Sequence, residues 1–200
     1  VRRPMSCIAM LITALLMVES REMSELGTIP GGVEMVGGNR AYLESGDQYT
    51  IGELLSALLI ASGNDAAVAL AQFHSGSVEA FVADMNKRAV QLGLQNTSYA
   101  NPTGLDHDRQ YSTPRDIALL STHVLNEPEI ARRMGSKWAR IYGEQGSEIA
   151  LNHTHVLLHQ RTAVTAGKTG TTLAAGECLV SLVEHWQKSY PVLLRKAGYR

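Results

Sequence analysis

The 200-residue chain reads as an α+β protein, a cluster of helices packed on a small antiparallel sheet. Three observations predict this. Apolar residues recur at helical spacing through the first two-thirds. A Thr-x-x-Glu box and a Thr-Pro pair mark helix starts. Strand-like runs separated by turns gather after Ile141. With 44% hydrophobic and 18% charged residues, the composition suits a globular chain with a sizeable core. Residues 1–200 are expected to form a single domain, and no internal repeat or low-complexity stretch interrupts them.

Residues 5–20 are apolar on nearly every side, as a centrally packed helix would be. Arg2 and Arg3 ahead of that run imitate an export signal. The run is short for a membrane span, and Glu19, Ser20, Arg21 and Glu22 follow where a small-x-small cleavage site would stand. A buried core helix is therefore expected. Residues 27–46 are rich in glycine and turn formers, with short extended pieces at 33–36 and 41–43. Thr50 and Glu53 form a capping box, and Leu54, Leu55, Leu58 and Leu59 make the stripe of the helix it opens. Ser62-Gly63-Asn64 breaks the pattern, and Asp65 suits the N-cap of a helix running to about His74. Further helices are expected over 77–92, with Gly93 as its stop, over 113–125, and briefly after Pro128. Strands are expected over 163–172, 178–183 and 191–194.

A net charge of −1 and the lack of a basic stripe argue against a nucleic-acid partner. Cys7 and Cys178 lie far apart and form no Cys-x-x-Cys pattern, so two thiols are expected rather than a bridge. The seven histidines form no ligand-spaced cluster beyond His153 and His155. No metal and no cofactor is expected.

Two cassettes carry the chemistry. Ser62-Gly63-Asn64 falls at a helix–helix joint, where a short loop presents a hydroxyl and a carboxamide. Lys168-Thr169-Gly170 falls on a strand, where a cation and a hydroxyl can meet a carboxylate and glycine admits a close ligand. Either tripeptide alone reads equally well as an ordinary turn. Their order, spacing and contexts make the pair specific. Acyl transfer from an amide needs a nucleophile, a base for its proton, donors for the oxyanion and an acid for the leaving amine. A Ser-x-x-Lys on the first turns of a helix would supply the first two. No lysine in this chain has a serine or cysteine three places before it.

From Arg3 to about Val183 the chain resembles the serine D-alanyl-D-alanine carboxypeptidases, the low-molecular-weight penicillin-binding proteins, which share their three cassettes with the β-lactamases. The resemblance rests on residues 60–67 around Ser62, on Leu92-Gly93-Leu94-Gln95-Asn96-Thr97 and on Pro102-Thr103-Gly104-Leu105. Tyr111 to Asp116, Gly167 to Thr171 and Ala175 to Val180 extend it. It implies a β-lactamase/transpeptidase-like fold, with the family's N-terminal strands and closing C-terminal helix lacking here. It casts Ser62 as proton relay, Asn64 as a substrate-holding amide, and Lys168, Thr169 and Gly170 as a strand edge that reads a carboxylate. His153 and His155 are expected to be surface or structural residues.

Aligned without gaps, the first helix places Cys7 at the nucleophile position and Met10 at that of the lysine. Sliding the register to Ser6 puts Ala9 at the lysine position instead. A thiol can attack without assistance, but methionine accepts no proton. The resemblance implies acyl transfer on peptidoglycan stem peptides ending in D-Ala-D-Ala, with β-lactam antibiotics as further ligands and a place in the periplasm or cell wall. The other reading is an inactive family remnant or a D-Ala-D-Ala-binding module.

Overall fold

The computed structural model describes residues 1–185 and 188–195. Helix α1 spans Met10–Ser20 and continues a 3-10 turn over Ser6–Ala9; every residue from Met10 through Met17 is buried. This explains why the run is apolar all round: α1 is surrounded by the rest of the helical cluster. Among the described residues, no helix is long and apolar enough to cross a membrane.

Strands β1 (Leu26–Thr28) and β2 (Gln48–Thr50) pair antiparallel, a short ribbon absent from the sequence expectation. Between them the extended piece expected at 33–36 is instead a 3-10 turn, Val33–Met35, entered through Gly32 in the left-handed region. The piece at 41–43 is no strand either. The Ala41 and Leu43 amides donate to the two carboxylate oxygens of Asp65 rather than to a neighbouring strand.

Helix α2 (Ile51–Ile60) opens on the expected capping box, with Thr50 and Glu53 exchanging side-chain and backbone bonds. Helix α3 (Asn64–Ser75) starts one residue before the expected cap. Asp65 lies inside it and does not cap it, because its carboxylate is committed to the 41–43 segment. Helices α4 (Val78–Gln91), α5 (Pro114–Leu125) and α6 (Pro128–Met134) follow, α4 and α5 capped by the hydroxyls of Ser77 and Thr113.

The last third holds two antiparallel sheets. Strands β3 (Trp138–Tyr142) and β4 (Glu148–Asn152) form a hairpin that the sequence expectation lacked. Strands β5 (Val164–Thr172), β6 (Gly176–His185) and β7 (Lys188–Arg195) form a meander in that order, β5 close to its expected span and the other two longer than expected. One cluster of buried apolar side chains runs from Met5 through the helices to Ala166 and Val180 on this sheet. The expected absence of a closing helix falls on residues 196–200, outside those described. The site is positioned where the Ser6–Ala9 turn, the α2–α3 joint and the outer edge of β5 converge.

Candidate active site

Along β5, alternate residues Ala166, Lys168 and Gly170 face the helices. At Gly170 the Ser6–Ala9 turn crosses so closely that a built Cβ would sit 2.6 Å from the Cys7 amide nitrogen and 2.8 Å from Ser6 Oγ. Glycine is what lets the turn rest on the strand. From below, the turn is braced by Gly104, whose φ is +89° and whose missing Cβ would overlap the Ser6 carbonyl. Ser6 itself lies in the left-handed region at φ +52°, an unusual conformation for a residue with a side chain.

The pinched turn gives Ser6 and Cys7 different surroundings. Cys7 lines a cavity of about 720 Å³ together with Ser62, Asn64, Thr169 and Gly170. Ser6 does not line it: its hydroxyl is buried and meets no hydrogen-bond partner among the described residues. Met10 is fully buried in the core and is likewise absent from the cavity wall.

The α2–α3 joint brings the first cassette in. Ser62 ends α2 at φ +55°, a second strained serine, which turns its hydroxyl toward Lys168. Asn64 is fixed by donation from Nδ2 to the Gly37 carbonyl at 2.6 Å, while its buried Oδ1 has no partner among the described residues.

Lys168 is wholly buried beneath the cavity floor. Its ammonium donates to Ser62 Oγ and to the Thr169 carbonyl at 2.8 Å. Burial pushes its pKa down to about 8, and Cys7 nearby pulls the other way. Thr169 shares a 2.5 Å hydroxyl contact with Thr154, which, with His155, Val156 and Leu157, forms the facing wall.

The six site residues named from sequence thus converge: five line the cavity and Lys168 underlies it. What sequence reasoning missed is the wall from Thr154 to Leu157. Of the two alternatives expected for His153 and His155, surface or structural, the surface one is excluded, since they are 4% and 1% exposed. The His155 amide donates to His153 Nδ1 at 3.0 Å, and His155 Nε2 meets Ser181 Oγ at 2.7 Å. The alternation His153-Thr154-His155 was the available signal, because it turns two rings inward behind a hydroxyl.

Burial, reinforced by the charge of Lys168, pushes His153 down to about 4. Its folded-state pKa lies below the ordinary value near 6.5. The unfolded chain therefore binds the proton more readily. The contribution to stability is present above about pH 6.5 and is lost as pH falls toward 4. A titration of the imidazole C–H resonances is expected to show His153 protonating near pH 4, and a midpoint near 6.5 would contradict this environment.

A family model described as D-alanyl-D-alanine carboxypeptidase matches residues 1–190. Over 146 residues the chain is 40% identical to D-alanyl-D-alanine carboxypeptidase DacF of Bacillus subtilis, covering 73% of this chain and 38% of that protein. It is 34% identical over 169 residues to DacA of Haemophilus influenzae, covering 82% and 41%. The crystal structure of the Streptomyces K15 DD-transpeptidase superposes with a TM-score of 0.91 at 25% identity, covering 99% of this chain and 82% of that one. The chain thus spans about two-fifths of the length of the curated relatives it matches.

Proposed function

Because the chain belongs to the D-alanyl-D-alanine carboxypeptidase family, we propose that its cleft takes peptidoglycan stem peptides ending in D-Ala-D-Ala and accepts their acyl group on Cys7. The observation that carries this reading is the shared cavity: thiol, hydroxyl, carboxamide and strand edge line one hollow of about 720 Å³ with an ammonium beneath it. A peptide laid along the outer edge of β5 could pair with the strand and direct its terminal carboxylate toward Thr169 and Lys168. Its amide N–H would meet Asn64 Oδ1. The Cys7 amide, pressed against Gly170, is a donor available to the developing oxyanion. The same geometry accommodates β-lactams, which carry a carboxylate beside a strained amide. Action on peptidoglycan places the protein outside the cytoplasmic membrane.

Sulfur of Cys7 attacks the scissile carbonyl carbon, the C–N bond breaks, and D-alanine leaves with a proton on its nitrogen. Water then attacks the thioester and regenerates the thiol. Met10 favours the second reading as regards rate, because no lysine stands one helical turn from Cys7. Loss of a positioned base costs about 10²- to 10⁴-fold. The proposal is accordingly of a slow acyl acceptor rather than a fast hydrolase.

A fluorescent penicillin tests this. Label that survives denaturation is expected on the wild-type protein and on Ser6→Ala, and none on Cys7→Ala. Label persisting in Cys7→Ala would refute the assignment. Reversible binding of a D-Ala-D-Ala peptide without any covalent label would identify a binding module instead.

A further inference from the structure

We infer that Lys168, acting through Ser62, is the proton acceptor for Cys7 and stands in for the base that the first helix lacks. The assignment rests on the acyl-transfer reading for its second half, return of the proton to the leaving amine; its first half concerns the thiol alone.

The geometry gathers three groups at one hollow, Lys168 beneath it and Ser62 and Cys7 on its wall. Lys168 Nζ contacts Ser62 Oγ, and Ser62 and Cys7 line the same cavity. A hydroxyl donates as readily as it accepts. Neutral Lys168 can therefore keep one N–H on the Thr169 carbonyl and receive the Ser62 hydroxyl proton on its lone pair. Ser62 Oγ in turn takes the Cys7 proton as sulfur forms its bond to carbon. When the C–N bond breaks, the same proton travels back through Ser62 to the departing nitrogen. Bonds and charges balance without any added reagent.

The other titratable groups around Lys168 are poorly placed for the task. His155 is held at both ring nitrogens, accepting from the Leu157 amide and meeting Ser181. His153 stands outside the cavity lining, with Nδ1 already taken by the His155 amide. Glu177 lines the same cavity but lies across from Thr171 in the β5–β6 register, on the opposite face of the strand pair from the Lys168–Ser62 contact. Met10 has no basic atom. Burial also readies Lys168 for the role: with its pKa brought to about 8, about a tenth of the amine is neutral at pH 7.

Two reactions of Cys7 test the assignment in Lys168→Met, which preserves the length of the buried side chain, and in Lys168→Arg, which keeps the charge but cannot take a proton. The first is acylation by fluorescent penicillin at saturating concentration across pH. The wild-type rate is expected to climb through about pH 8. Both variants should fall about a hundredfold and lose that rise. The second is alkylation by iodoacetamide, a neutral reagent needing no recognition, with Cys7 and Cys178 resolved by peptide mass mapping. At pH 7, Lys168→Met is expected to slow Cys7 at least tenfold. Wild-type rates in a folded variant would overturn the proposal. Lysine-dependent alkylation without penicillin labelling would uphold the thiol–amine pair and sink the proposed function. Labelling that is indifferent to Lys168 would do the reverse.

Discussion

Gly104→Ala is expected to destabilise the protein by about 3–5 kcal/mol, read as a lowered urea midpoint, and to abolish penicillin labelling. Two costs combine. At φ +89° any L side chain is strained, and the new methyl would occupy the place of the Ser6 carbonyl, with the Cys7 amide nitrogen only 2.6 Å away. The loop has little room to yield. Asn101 Oδ1 accepts from the Gly104 amide at 2.8 Å, from Thr103 Oγ1 at 2.9 Å and from Gln110 Nε2 at 3.0 Å. Relief must therefore come from the Ser6–Ala9 turn, which carries Cys7 out of line with Gly170. Gly31→Ala is the control, since nothing lies within 4 Å of its Cβ position; it is expected to change stability by under about 0.5 kcal/mol. A Gly104→Ala protein as stable as the wild type would show that the turn is not pinned as described.

Asp65→Ala is expected to cost about 3 kcal/mol and to weaken reversible ligand binding. The carboxylate is fully buried and accepts from the amides of Ala41 at 2.9 Å, Leu43 at 3.1 Å and Ala66 at 2.9 Å. Alanine would leave buried donors unmatched. The segment they belong to begins beside the Gly38 and Asn39 cavity rim, and Asn39 also accepts from the Asn64 amide at 2.8 Å. Loss of the tie should therefore appear twice, in the denaturation midpoint and as a raised dissociation constant for a D-Ala-D-Ala peptide. A change in stability alone would mean that the rim holds its place without Asp65.

Features set by near neighbours were the legible part of the sequence. The capping box at Thr50 works within a single helical turn, and the α5 start at Thr113-Pro114 does likewise, so both lie where the residues place them. The helical cluster and late sheet followed from the periods of the apolar residues. Asp65 shows where such reading stops. Asp before a helix is locally a cap, and only a partner 24 residues away reveals that its oxygens are spent elsewhere. Which of Ser6 and Cys7 faces the cavity could not be read from the local pattern for a similar reason. Adjacent residues at a helix start fit the helical period equally well. What separates them is pressure from Gly104 and Gly170, about a hundred and more residues further on. The β3–β4 hairpin was missed although Gly143 and Gly146 punctuate it. Its inward residues Ile141 and Leu151 pack on the helices, a contact invisible to local pattern.

The meander order leaves β5 hydrogen-bonded to β6 on one flank and, among the described residues, to no strand on the other. That bare rail offers backbone bonding to any extended chain, whatever its side chains, so it can supply grip but not choice. On the proposed function, discrimination among visitors would come from the features beside the rail: the buried ammonium, the carboxamide oxygen of Asn64 and the Thr154 wall. Grip and choice are thus built from separate parts, and altering the guest this protein prefers would mean remodelling the wall while leaving the rail alone.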